Sequence, residues 1–371
     1  MKNLLIIGPI PPPVTGQSVA TKVLVDDIAE YYSVNIVNTS KNSFKQGLLS
    51  FGRIFQIFAI ITQVVYRSNW ADIVYLGISQ SLAGNVRDLI LFWLCRKKKL
   101  VVHLHGGGLH FSVFYKSSFL LKLNRFFYKK YIDRVIVLSE SLKKVFSLFE
   151  IEEKIVTLEN YADDYLFLNK VYIEEKKIHD TLNILYLSNM LEEKGYKLLF
   201  EAVSSLSDEV NIELHFVGKF DNLEDEKDFQ EKIAQKSGFF YHGPVFGKER
   251  IPFFQKAHIF CLPTYYPFGE GQPISILEAY ASGCYVVSTK WGGIPDILED
   301  GVNGSLIPPN DRESLANAIR QVINNPSEFE RIKLHNSQIA KEKYTKEVHL
   351  QNIRRIFKEI YKRIEMENIH V

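Results

Sequence analysis

Residues 261–283 read CLPTYYPFGEGQPISILEAYASG, and they pass from a short apolar strand, Ile259 to Leu262, through a Pro/Gly-rich loop into a helix. Proline is favoured in the first turn of a helix and glycine just past the last. The spacing therefore predicts a helix that starts near Pro273 and stops at Gly283. Glu270 falls in the loop leading into it, and Glu278 about one and a half turns inside. A helix N-terminus offers free N–H groups and a partial positive charge, which suits a phosphate. A carboxylate beside such a site is better suited to accept hydrogen bonds from hydroxyls, as on a sugar or ribose. The pair points to a ligand that joins a phosphate to a sugar. The plainer reading is a surface turn and an amphipathic helix with a solvated glutamate; the agreement of loop, helix start and spacing argues against it.

The 371-residue chain, 46% hydrophobic and 24% charged, has the size and composition of two ordinary domains with sizeable cores. Apolar strands are predicted at Asn3 to Gly8, Ser33 to Val37, Ile73 to Leu76, Leu100 to His103 and Arg134 to Leu138, with helical patterns between them. A second series covers Asn183 to Leu187, Glu213 to Val217, Phe239 to His242, Ile259 to Leu262 and Tyr285 to Thr289. Such alternation predicts α/β halves, each with a parallel sheet covered on both faces. The polar, Lys/Glu-rich stretch 168–181 reads as a linker, residues 311–325 and 327–345 as helices, and 346–371 as a long amphipathic helix. Cysteines stand at 95, 261 and 284, an odd count with no C-x-x-C, which indicates neither a disulfide framework nor a zinc knuckle and fits a reducing cytosol. Residues 1–8 read as an opening strand, too soon followed by proline for a signal peptide.

Residues 270–287, EGQPISILEAYASGCYVV, resemble the E-x7-E signature of the retaining glycosyltransferases of family 4, whose wording is close to E-G-F-G-L-x-x-L-E-A-x-A-x-G-x-P-V-V. Two positions depart from it: the second glycine is Pro273, which has no N–H to offer a phosphate, and the proline before Val-Val is Tyr285. The resemblance implies the GT-B architecture: two Rossmann-like domains facing across a cleft, with the C-terminal helix returning to the first domain. Residues 1–167 would then be the acceptor-side domain, 168–181 the linker, 182–345 the nucleotide-sugar domain and 346–371 the returning helix.

Shorter matches extend the resemblance. Residues 187–195, LSNMLEEKG, follow a strand and resemble the family's G-R-L-x-x-x-K-G; Lys194 and Gly195 match, but the arginine is Asn189. That leaves Lys194 as the main side-chain cation for a donor diphosphate, with Asn189 giving only a neutral hydrogen bond. Residues 8–18, GPIPPPVTGQS, resemble the family's Gly-rich first loop, in which Gly16 and Gln17 would face donor or acceptor. In 103–108, HLHGGG, His105 resembles the histidine near the transferred sugar; a structural histidine at a strand end is the alternative. In 242–245, HGPV, Gly243 would lie beside the nucleotide base. Asn160 and Asp163, in LENYAD at 158–163, are read as structural. The resemblance implies that Gly271, Gln272, Pro273 and Ile274 line the donor, that Glu270 holds sugar hydroxyls and that Glu278 holds the ribose.

Two other chemistries lack support. An esterase oxyanion loop at His-Gly-Gly-Gly needs a downstream G-x-S-x-G elbow, and none exists. A metal held by His103, His105 and His110 has no acidic or cysteine ligand close by, and the run Asp225-Glu226-Lys227-Asp228 reads as a solvated face. No metal and no cofactor besides a UDP- or GDP-linked sugar is expected.

The net charge of +2 hides an asymmetry. Residues 1–170 hold 21 Lys+Arg against 13 Asp+Glu, and within 41–130 there are 14 against only Asp72 and Asp88. Such a bias points to an anionic partner. The segments 41–67 and 115–131 interleave the basic residues with aliphatic and aromatic ones. They read either as helices lying on an anionic membrane surface or as core-facing helices with solvated lysines. The expectation is a cytoplasmic, retaining, metal-independent glycosyltransferase, peripheral on the inner membrane. It would act on a lipid-linked or oligosaccharide acceptor in O-antigen, capsule or exopolysaccharide assembly, without nucleic acid as partner. A non-enzymatic membrane-surface scaffold on a degenerate GT-B fold is the alternative. A nicotinamide-dependent oxidoreductase is weaker still, for want of G-x-G-x-x-G.

Overall fold

The computed structural model describes residues 2–12, 16–40, 51–206, 210–267 and 269–369. The chain divides into two units, Met1–Glu159 with Leu350–Val371, and Asn160–His349.

The first unit is built on a six-stranded parallel sheet of β1 (Asn3–Gly8), β2 (Ser33–Asn38), β3 (Ile73–Gly77), β4 (Lys99–Leu104), β5 (Ile132–Val137) and β6 (Ile155–Thr157), in the order β2-β1-β3-β4-β5-β6. Leu4 to Ile7 of β1 are buried on both faces, as a doubly covered parallel strand requires. One face carries the C-terminal helix Lys346–Ile369, whose Leu350, Ile353, Phe357, Ile360 and Tyr361 pack with Leu4, Ile6 and Tyr75. The return of this helix to the first unit is as expected; the basic residues 41–50 lie outside the described residues.

The second unit repeats the plan with β7 (Leu182–Leu187), β8 (Ile212–Val217), β9 (Phe239–Tyr241), β10 (Ile259–Leu262), β11 (Tyr285–Thr289) and β12 (Gly304–Ile307), in the order β12-β11-β10-β7-β8-β9. Every pairing in both sheets is parallel. Strand order reverses between β7 and β10 here and between β1 and β3 in the first unit. Open α/β sheets bind ligands at such a reversal, outside the carboxyl ends of the strands.

The sequence misplaces one boundary. Residues 168–181 are no linker but part of the second unit, where helix Lys170–Glu175 buries Ile173. Lys176 is buried because its ammonium donates to the carbonyls of Phe254 (2.8 Å) and Ser282 (2.7 Å). Lys333 does the same with Lys176 O at 2.7 Å. The chain passes between units at Glu159–Asn160 and again at His349–Leu350. All three cysteines are buried and unpaired.

His258 anchors the N-terminal end of β7. It is buried, and its Nδ1 accepts the Asn183 N–H at 3.0 Å, so that nitrogen carries no proton. Burial first, then the charge of Lys176, pushes its pKa down from the usual 6.5 to about 4. A histidine held neutral contributes stability that is whole above pH 6.5 and is lost as pH falls toward 4, here up to about 3 kcal/mol. Urea unfolding midpoints should therefore drop across that window, and His258→Gln should flatten the drop.

Candidate functional site

Two loops meet at the reversal in the second unit. The loop after β7 carries Asn189, the turn Glu192–Lys194 and Gly195; the loop after β10 carries Thr264, Tyr266 and Glu270. Backbone contacts staple them together. Glu193 O accepts the Tyr265 N–H at 2.8 Å and the Thr264 hydroxyl at 3.2 Å. Gly195 has φ +85°, and a Cβ there would stand 2.2 Å from Pro263 O, so only glycine fits.

The staple places Lys194 Nζ 2.5 Å from Glu270 Oε1 and 4.8 Å from the centre of the Tyr266 ring. Glu270 Oε1 also accepts the Thr264 hydroxyl at 2.7 Å. Both bonds fall on one oxygen, and Oε2 has no partner among the described residues. Glu270 is only 7% exposed, so its polar atoms need partners within the fold, and Lys194 and Thr264 supply them. From the other side Gly293 N–H donates to Glu270 O at 3.0 Å, and Trp291 Nε1 donates to Tyr266 O at 2.6 Å. Gly292, φ +59°, lies so close that a Cβ would meet Glu270 O at 2.3 Å.

The helix beyond, Ile274–Ala281, has Pro273 at its cap position and no side-chain cap. Pro273 therefore costs the helix end no N–H; Ile274 and Ser275 head it. Gln272 is buried and held by Asn160, whose N–H donates to its Oε1 at 2.5 Å and whose Nδ2 donates to its carbonyl at 2.8 Å. Gln272 Nε2 is buried without a hydrogen-bond partner among the described residues. Inside the helix Glu278 is 1% exposed, and both its oxygens accept from Arg250 Nη1, at 2.6 and 2.8 Å. Arg250 Nη2 donates to Asp163 Oδ2 and to the Tyr165 hydroxyl, each at 2.5 Å. Burial pushes the Glu278 carboxyl up to about 7 while Arg250 pulls it down. Burial also works against the charge of Arg250, which Glu278 and Tyr165 nevertheless hold above its usual range. The two directions disagree near neutrality, and the two short contacts from one guanidinium decide for the ionised pair.

Of the residues singled out in the sequence, Lys194, Glu270, Gly271, Gln272, Pro273, Ile274 and Glu278 gather around this helix start. Asn189 is exposed on the loop after β7, and Gly243, φ +69°, is tied by its carbonyl to Gly218 N–H at 2.9 Å beside β8. Gly16, Gln17 and His105 belong to the first unit. There Gln17 Nε2 lies 2.8 Å from where a Cβ on Gly77 would stand, and the ring of His105 lies 3.9 Å from that of His103. Among the described residues no group of three His, Cys, Asp or Glu could hold a metal. Arg250, Thr264 and Gly292 were missed. The turn Trp291-Gly-Gly after β11 signals Gly292, and Thr264 stands within the quoted stretch. Nothing in the spacing signals Arg250.

Residues 181–325 match the family model for glycosyl transferases group 1. The matched stretch lies wholly within the second unit. Amylovoran biosynthesis glycosyltransferase AmsK of Erwinia amylovora is 26% identical over 264 residues, 66% of this chain and 60% of AmsK. An uncharacterized glycosyltransferase of Methanocaldococcus jannaschii is 27% identical over 201 residues, 51% of this chain and 50% of that protein. The chain thus spans half to three-fifths of the length of these curated relatives. Anabaena HepE, solved in complex with UDP and glucose, matches 97% of this chain and 100% of its own at 19% identity and a TM-score of 0.72. That likeness shows the fold, which is GT-B.

Removing Arg250 strands a buried carboxylate. Arg250→Met should cost about 3–5 kcal/mol in urea unfolding, and Arg250→Met with Glu278→Leu should recover much of it.

Proposed function

We propose that this protein is a retaining glycosyltransferase that moves a sugar from a UDP- or GDP-linked donor to an acceptor hydroxyl. The observation that carries the reading is the Lys194–Glu270 pair beside the uncapped start of helix Ile274–Ala281 at the strand-order reversal. Lys194 spends one of its three N–H groups on Glu270 and keeps the others for a diphosphate, alongside the Ile274 and Ser275 N–H groups. Glu270 spends Oε1 on Lys194 and Thr264 and keeps Oε2 for a sugar hydroxyl. Glu278 keeps lone pairs beyond those facing Arg250, which suits it to a ribose hydroxyl. Gly243 serves the base.

In the transfer, the bond from the anomeric carbon to the phosphate oxygen breaks as the acceptor oxygen bonds to the same face. The departing phosphate oxygen takes the acceptor's proton. Preorganised donors around the diphosphate stabilise the charge that develops there. No metal and no further cofactor takes part. AmsK acts in amylovoran biosynthesis by its name, and HepE binds UDP. With the basic first half, these support a lipid-linked glycan acceptor in bacterial surface-polysaccharide assembly at the inner membrane.

Glu270→Ala should lower turnover by about tenfold or more at unchanged fold, since a lost positioned polar contact costs about 1–3 kcal/mol. Near-normal turnover in a folded variant would reject the assignment. Calorimetric titration should show UDP or GDP binding and none of NAD; binding of no nucleotide would favour the scaffold. EDTA should leave activity unchanged, and an absolute Mg2+ or Mn2+ requirement would refute the charge balance.

A further inference from the structure

Three helices of the first unit, Phe51–Ser68, Leu82–Leu94 and Ser118–Tyr131, lie side by side, the middle one touching both others. Their inner residues, Ile60, Val64, Leu89, Phe92 and Tyr128, share one core over the sheet. Their outer residues should then be polar. On the middle helix they are Leu82, Val86, Ile90 and Trp93, all exposed. These positions recur at i, i+4, i+8 and i+11 and so form one apolar row along the helix. Phe55 and Phe58 stand exposed on one neighbouring helix, Phe119 and Phe126 on the other, each at least half open to solvent. Exposed apolar rows of this extent mark an interaction surface.

The charge around the row has one sign. The three helices carry a single acidic residue, Asp88, buried against Arg87 and the Ser79 N–H. Lys97, Lys116 and Lys122 have no partner among the described residues, and Lys130 lies over the Phe126 ring. Glu150 approaches the third helix but is taken up by Arg125 and Lys129. No described helix is long and apolar enough to cross a membrane. An apolar row flanked by aromatic rings and unpaired lysines is what the interface of an anionic bilayer takes up.

We infer that this three-helix face docks on an anionic lipid surface, with the Leu82–Val86–Ile90–Trp93 row as the ridge that enters the headgroup layer. The inference rests on the proposed lipid-linked acceptor, and names the surface through which the enzyme reaches it.

The full-length protein is co-sedimented with phosphatidylcholine vesicles and with mixed phosphatidylcholine–phosphatidylglycerol vesicles, each at low and high salt. Binding should be at least tenfold stronger to the anionic vesicles and should fall as salt rises. Lys116→Glu with Lys122→Glu and Lys130→Glu should abolish it. Ile90→Ser with Trp93→Ser should weaken it about tenfold, while Tm and UDP or GDP binding stay unchanged. The inference is overturned if the wild type ignores anionic vesicles or binds neutral ones equally, or if either variant set binds like the wild type. Preference for nucleic acid, or a dimer that the Ile90→Ser/Trp93→Ser protein no longer forms, would overturn it in favour of that partner. Lost vesicle binding with intact nucleotide binding sinks this inference alone; lost nucleotide binding with intact vesicle binding sinks the glycosyltransferase reading alone.

Discussion

Strands β7 and β10 are neighbours in the sheet although β8 and β9 lie between them in sequence, and the candidate site depends on that arrangement. The sheet grows one way from β7 through β8 and β9, and the other way through β10, β11 and β12. Right-handed connections then send the segments after β7 and β10 to opposite faces and part the two loops. The parted loops carry Lys194 and Glu270. Three close approaches hold them at working distance: Gly195 on Pro263, Gly292 on Glu270, and the Glu193 carbonyl under Thr264 and Tyr265.

The two ion pairs around the helix start differ in kind. Lys194–Glu270 leaves donors on one side and an oxygen on the other with nothing to do. Arg250–Glu278 uses both carboxylate oxygens and spends the other guanidinium nitrogen on Asp163 and Tyr165. A buried pair of that second kind adds little net stability over an apolar replacement, but it fixes geometry. Here it ties the helix to the turn before helix Ile251–Lys256 and to the segment entering the second unit. The Asn160–Gln272 contacts do the same for the loop ahead of the helix. The first pair has the makings of chemistry, and the second chiefly frames it.

Much of this was legible in the sequence. Ten strands appear within two residues of their places, the central ones because doubly buried parallel strands are continuous apolar runs. The two that escaped, β6 and β12, are sheet edges of three and four residues, and β12 begins with a glycine. Their extended form comes from pairing with β5 and β11 rather than from local pattern. Stretch 168–181 passed for a linker because its lysines and glutamates suggest solvent. Lys176 is buried because it finds main-chain carbonyls far away in sequence, which composition does not encode. Glu270 and Lys194 were legible since a loop after a strand and before a helix places them. Arg250 was not, since its partners stand 28 and 87 residues away.

The buried cysteines lend the molecule a property unrelated to transfer. Cys95 lies in the core of the first unit, where burial pushes its thiol up to about 12; Cys261 and Cys284 lie in that of the second, also raised by burial. A thiol that is both inaccessible and protonated does not alkylate until its surroundings open. The rate at which each position takes up a thiol reagent is thus a clock for the opening of its own unit, and the chain comes with one such clock in the first unit and two in the second.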